Sequence, residues 1–99
     1  MAADNIEFLN TLEATIRQRI ALSPDGSYTA KLANSGIRRV AQKTGEEAIE
    51  VALAAVAQDR QELRNESADL LYHLLVLLAL SDISLPEVVE VLRSRHAPA

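Results

Sequence analysis

Two short segments hold most of the side chains that can do chemistry. One carries Lys43, Glu46, Glu47 and Glu50; the other carries Glu62, Glu66, Asp69 and His73. Residues three or four apart share a face of a helix, so Lys43, Glu47 and Glu50 form one stripe with Glu46 beside it. Glu62, Glu66, Asp69 and His73 form a second stripe. Charge runs are ordinarily solvated faces. Here the carboxylates repel one another at helical spacing and are bordered by Ala48, Ile49, Val51, Ala52 and Leu53. Asp69 stands directly before an apolar run from Leu70 to Leu80, and that run admits His73. Acids gathered beside a core need something to offset their repulsion, and a divalent cation does so. Mg²⁺ takes hard oxygen ligands, keeps several waters and shares substrate phosphates. If the two helices lie antiparallel, Glu47 and Glu50 face Glu66 and Asp69, and four carboxylates make a cage for one or more Mg²⁺. The chain has no Cys and two His, a poor donor set for zinc. Di-iron bundles use a Glu-x-x-His step on each of two helices, and neither His73 nor His96 follows a Glu by three.

The elements that must position these residues read as helices throughout. The first is expected from about Asn5 to Ala21, capped by Asp4 with Glu7 three residues on. Ile6, Leu9, Leu12, Ile16 and Ile20 lie on its apolar stripe. Ser23-Pro24-Asp25-Gly26 reads as a turn. Ser27 to Leu32 reads as a short helix ending near Asn34-Ser35-Gly36. A long helix follows from Ile37 to about Ala57, with Gly45 costing about 1 kcal/mol relative to Ala. A second long helix spans roughly Arg60 to Leu80, capped by Asp59. Ser84-Leu85-Pro86-Glu87 is a capping box that starts the last helix, whose stripe is Val88, Val91 and Leu92. His96 to Ala99 is expected to fray. No segment alternates as a strand does. The fold class is therefore all-α, a bundle of two long antiparallel helices with shorter ones around them.

Ninety-nine residues make one domain with modest burial. Apolar residues make up 48 % of the chain, too many for a disordered one. The helix after Asp69 is apolar on nearly every side, more than one layer of neighbours in so small a chain covers. A homodimer with that helix at or near the interface is the expectation. The apolar run is shorter than the about 20 residues a bilayer requires, and no basic-then-apolar leader is visible. A net charge of −4 and only three aromatic residues argue against nucleic acid as partner. The absence of Cys fits a reducing cytoplasm without requiring it.

The segments Ser27-Tyr28-Thr29-Ala30-Lys31-Leu32, Gln42 to Ala52 and Glu66 to Leu75 resemble phosphoribosyl-ATP pyrophosphohydrolases, members of the all-α, MazG-like nucleotide pyrophosphohydrolase superfamily. The superfamily pattern is Glu-x-x-Glu followed after a gap by Glu-x-x-Asp, here Glu47-x-x-Glu50 and Glu66-x-x-Asp69. The Ser-Tyr-Thr segment and Tyr72-His73 narrow the resemblance to the histidine-pathway branch. It covers the chain from the first helix to Arg95. Some members are fused to a cyclohydrolase for the next step, for which this chain has no room.

The resemblance implies hydrolysis of phosphoribosyl-ATP to phosphoribosyl-AMP and pyrophosphate. It implies Glu47, Glu50, Glu66 and Asp69 as Mg²⁺ ligands and Glu46 as the group that orients or deprotonates water. A one-residue rotation of the helix swaps those roles. Lys31 and Lys43 are candidates for the polyphosphate; Lys43 is equally a surface partner for Glu47. Ser27 and Thr29 either donate to phosphate or cap the short helix, with capping the default. Tyr28 belongs to the same substrate-binding segment. Tyr72 stacks on a base or fills the core; His73 meets substrate or is a satisfied buried imidazole. Arg38 and Arg39 are expected to be solvated, with a phosphate contact as the alternative. Two rival readings remain at this stage. One is a house-cleaning hydrolase of the same superfamily, acting on dUTP or damaged nucleoside triphosphates; the other is a catalytically silent helical dimerisation module.

Overall fold

The structure, a computed structural model, describes residues 2–98, with side chains described from Asn5 onward. Five helices follow in order: α1 (Ala2–Leu22), α2 (Tyr28–Asn34), α3 (Ile37–Val56), α4 (Arg60–Leu80) and α5 (Leu85–His96). No strand occurs among the described residues. The long helices fall where the sequence places them. α1 begins at Ala2, so Asp4 lies inside the helix instead of capping it, and its side chain is outside the described ones. α5 continues to His96, so the expected frayed tail is shorter by one residue.

The α3–α4 hairpin is the spine. Its turn is set locally. Gln58 adopts a left-handed backbone (φ 59°), and the amides of Gln58 and Asp59 return to the carbonyls of Ala55 and Ala54. This satisfies the last acceptors of α3. Asp59 then caps α4, its carboxylate accepting the Glu62 amide at 3.0 Å. Three residues between two long, extensively packed helices force them antiparallel.

The core sits at one end of that hairpin. Val40 of α3 and Val76 of α4 are fully buried, with Leu75, Ile16 of α1 and Leu32 of α2 closing around them. Burying a side chain of this size stabilises by about 1.5–3 kcal/mol, so five such residues anchor α1 and α2 to the spine. Leu9, Leu12, Ile20, Tyr72 and Leu85 pack on the rim. Ile6, expected on the same stripe, is exposed because it lies beyond the cluster.

The rest of the molecule is thinly covered. Between Ala41 and Tyr72 only Ala54 is buried. Ile49, Leu53 and Val56 on α3 and Leu71 on α4 are exposed. α5 has its capping box, with Ser84 and Glu87 bonded in both directions. Its start is tied to α1 through Leu85 N–H to Glu13 and Arg17 to the Ile83 carbonyl. It nonetheless buries no residue fully; of the expected stripe, Val88 is half-buried while Val91 and Leu92 are exposed, Leu92 by 52 %. The radius of gyration is 14.8 Å, against about 13 Å for a compact domain of 100 residues. The chain is extended because one end of its hairpin projects past the core.

Candidate functional site

Antiparallel pairing brings the two acidic stripes together on the projecting part of the hairpin. One carboxylate oxygen each from Glu47, Glu66 and Asp69 lies within 4.8 Å of the others. Glu47 and Glu66 are half-buried and Asp69 is exposed, so the trio opens to solvent on one side. Glu50, on the next turn of α3, is exposed and is not among the three oxygens that converge. Glu46 is exposed beside Glu47, and the Gln42 side-chain amide donates to its Oε2 at 3.3 Å. Helical spacing placed Glu47 and Glu50 on one face, but the hairpin register selects the first of them.

Electrostatics mark the same spot. Glu66 is pulled down by its hydrogen bond with Glu62. The Glu47 carboxyl, desolvation, and the charges of Glu47 and Asp69 outweigh that, and the Glu66 carboxyl stands above its ordinary value. Glu62 is raised as well, first by its hydrogen bond with Glu66, then by burial and by the charges of Glu66, Asp59 and Asp69. Glu62 thus joins the cluster, as its place four residues before Glu66 indicated. The Glu47 Oε2 atom is buried with no hydrogen-bond partner among the described residues. A buried, unpartnered carboxylate oxygen beside two further acids is an arrangement that nothing on the protein compensates. Hard oxygen donors that converge in this way, with one side open, fit a divalent cation that keeps water and shares phosphate oxygens.

Around the acids stands a small aromatic and hydroxyl frame. Ser27 caps α2, its hydroxyl accepting the Ala30 amide at 3.1 Å. Thr29 does not cap; its hydroxyl is hydrogen-bonded to the Tyr72 phenol. Burial pushes the Tyr72 phenol above its usual range, with the Thr29 bond offsetting part of that and the Tyr28 hydroxyl adding to it. Tyr28 stacks on Tyr72 with ring centroids 6.2 Å apart, yet is itself exposed. Tyr72 therefore belongs to the rim of the core, and Tyr28 is the ring that a ligand can reach. His73 is buried. Its Nδ1–H donates to the Asp69 carbonyl at 2.7 Å, and Nε2 has no partner among the described residues. Its bond to the backbone of Asp69 helps fix the turn of α4 that presents that acid.

The cations sit one step away. Tyr28, Lys31, Leu32, Ser35, Arg39 and Lys43 line a pocket of about 240 Å³. The ion pairs found among the described residues join Arg17 to Glu13 and Arg93 to Glu90, so Lys43 does not pair with Glu47. Arg39, read from sequence as solvated or in contact with a phosphate, is exposed and lines this pocket, four residues before Lys43. Gly45, between Lys43 and Glu47, has nothing within 4 Å of where a Cβ would stand. Among the described residues no helix is long and apolar enough to cross a membrane.

Known proteins are similar to this chain in sequence. The phosphoribosyl-ATP pyrophosphohydrolase family matches residues 9–96. The histidine biosynthesis bifunctional protein HisIE of Escherichia coli O157:H7 is 55 % identical over 89 residues, which are 90 % of this chain and 44 % of that protein. The HisIE protein of Yersinia pestis is 52 % identical over 95 residues, 96 % of this chain and 47 % of its own length. That of Xanthomonas campestris pv. campestris is 54 % identical over 90 residues, again 44 % of its length. The chain spans less than half the length of these curated relatives.

Proposed function

The chain belongs to the phosphoribosyl-ATP pyrophosphohydrolase family, and on that premise we propose that it hydrolyses phosphoribosyl-ATP to phosphoribosyl-AMP and pyrophosphate, the second step of histidine biosynthesis, as a single domain over residues 1–99. The observation that carries the reading is the convergence of Glu47, Glu66 and Asp69 across two antiparallel helices, with a buried Glu47 oxygen left unpartnered. Splitting a phosphoanhydride is chiefly a matter of positioning and of neutralising charge. Carboxylates alone repel a polyphosphate, so the site needs a cation to accept one.

Glu47, Glu66 and Asp69 would hold Mg²⁺, with Glu50, one turn along α3, as the fourth carboxylate. When bound, the ion polarises phosphoryl oxygens and makes a coordinated water more acidic. Glu46 is the proton acceptor in this reading. Gln42 holds its Oε2, leaving Oε1 to receive the proton of the attacking water. The water oxygen bonds to phosphorus, the α–β bridging bond breaks, and its oxygen leaves with the pyrophosphate. Lys31 and Lys43 offset the negative charge of the phosphates. Tyr28 offers its exposed face to an organic ring of the substrate. Ser27 and Thr29 act through α2, one capping it and the other locking Tyr72 behind Tyr28.

The working unit in this reading is a homodimer. The exposed Ile49, Leu53 and Val56 on α3, Leu71 on α4 and Leu92 on α5 are large apolar side chains without cover in one copy. A second copy would shelter them and wall the open side of the acids. An anionic nucleotide does not cross a bilayer unaided, which supports a cytoplasmic site of action. The test is pyrophosphate release from phosphoribosyl-ATP and from dUTP, each with Mg²⁺ and with a chelator. The reading expects magnesium-dependent release from phosphoribosyl-ATP in strong preference to dUTP. Preference for dUTP supports a house-cleaning hydrolase, and no release from either supports a silent helical module.

A further inference from the structure

The pocket formed by Lys31, Arg39 and Lys43 has no counter-charge. None of the three pairs with a carboxylate among the described residues. Arg38 and Arg39 lie in the first turn of α3, which holds no acidic residue, and its Gly36 cap provides no side-chain acceptor. Positive side chains at the positive end of a helix are unfavourable, so an anion there relieves two costs at once. The pocket's volume of about 240 Å³ falls below the ~300 Å³ at which whole small-molecule sites begin. It suits one arm of a ligand.

Its place relative to the acids says which arm. Arg39 is eight residues before Glu47, about 12 Å along the axis at ~1.5 Å per residue. The two phosphorus atoms of a pyrophosphate share one bridging oxygen, so a leaving group centred on Glu47 is short against that separation. The exposed Tyr28 ring forms another wall, which suits a phosphate carried on a sugar. Resting on the activity proposed above, we infer that Lys31, Arg39 and Lys43 bind the phosphomonoester of the ribosyl arm, and that Arg39 is the residue by which the site selects phosphoribosyl-ATP over ATP. The two substrates share the triphosphate and the purine, so selection must come from the added ribose phosphate.

Two measurements test this. The first is the ratio of kcat/KM for phosphoribosyl-ATP to that for ATP, in the wild type and in Arg39→Gln, Lys31→Met and Arg38→Gln. Charge-assisted bonds of this kind correspond to about 10- to 100-fold. Arg39→Gln is expected to lower the ratio by that factor and Lys31→Met by less. Arg38→Gln, which does not line the pocket, is expected to leave the ratio where it is. The second is titration of the wild type and Arg39→Gln with ribose 5-phosphate and with ribose, in a chelator. The wild type should bind the phosphate ester in preference to the bare sugar, and Arg39→Gln should lose that preference. Arg38 and Arg39 are exposed and outside the core, so neither Gln variant should melt below the wild type. An unmoved ratio in Arg39→Gln, an equal fall in Arg38→Gln, or equal binding of both sugars overturns the inference. A wild type inactive on phosphoribosyl-ATP overturns the proposed activity instead, and the sugar titration still decides the pocket.

Discussion

Glu47 on α3 and Glu66 on α4 face each other across the antiparallel hairpin, with carboxylate oxygens within 4.8 Å and a third, from Asp69, at the same reach. Two acids held this close by the backbone oppose the fold unless a cation joins them. Glu47→Gln removes one charge and the unpartnered buried oxygen's formal negative character. It is expected to lower magnesium-dependent turnover by about 10²–10³ and to abolish the rise in Tm that Mg²⁺ gives the wild type. Pyrophosphate release and thermal melts with and without Mg²⁺ check it. Retained activity with an unchanged metal-induced shift would remove Glu47 from the site.

The raised carboxyl of Glu66 makes a prediction about pH. Its folded value lies above the unfolded one, chiefly through Glu47 and burial working against the hydrogen bond from Glu62. Above the folded value both states are ionised and the folded chain carries the full repulsion. As pH falls through that value the folded chain takes up a proton first and the penalty is relieved. Without metal, Glu66→Gln should therefore melt higher than the wild type at neutral pH, and the gap should close as pH falls through the carboxylate range. Glu87 has the opposite sign. The backbone and hydroxyl of Ser84 hold it below its ordinary value, so Glu87→Gln should melt lower at neutral pH, with that gap closing as acid protonates Glu87. Calorimetry across pH 3–7.5 separates the two (about one unit below and three above the ordinary carboxylate range).

Much of this site was legible because caps and periodicity act locally. Asp59 and the apolar run set α4 at Arg60–Leu80, as read from sequence. The Ser84–Glu87 box set the start of α5. What was not legible depends on the chain meeting itself. Glu47 and Glu50 are equivalent in spacing, and only the register set by the left-handed Gln58 turn brings Glu47 to Glu66. The stripe of α5 shows which face is apolar and not whether anything in the same chain covers it, so Val91 and Leu92 read as buried and are exposed. Arg39 reads as a solvated cation or a phosphate contact, and only the folding of α2 over α3 brings Lys31 and Tyr28 beside it.

The uncovered apolar side chains predict a dimer that a single charge disrupts. Leu53 is 59 % exposed, flanked at helical spacing by Ile49 and Val56, itself 83 % exposed. Stable association needs roughly 800 Å² from each partner, and these residues with Leu71 and Leu92 are among the exposed apolar side chains that could supply it. Leu53→Glu places a carboxylate in that surface, where an unpaired charge is costly to desolvate. Light scattering at micromolar concentration should find the wild type as two copies and the variant as one, with helical content retained. A wild-type monomer would falsify the dimer reading.

Gly45 yields the last prediction. It sits in the interior of α3, exposed, between Lys43 and Glu47. A Cβ built there meets no atom within 4 Å, so no contact in this chain requires a glycine. In a helix interior Gly is about 0.8–1 kcal/mol worse than Ala. Gly45→Ala should therefore stabilise the chain by that amount, a rise in Tm of roughly 4–8 °C for a domain of this size. In the proposed activity the face it occupies lies beside Glu47, where the substrate approaches the acids. An added methyl group there stands in the path of the substrate backbone, so kcat/KM for phosphoribosyl-ATP should fall while the melt improves. Opposite movement of stability and activity identifies Gly45 as a point of close approach. A stabilised variant with full activity would assign the glycine no part in the site.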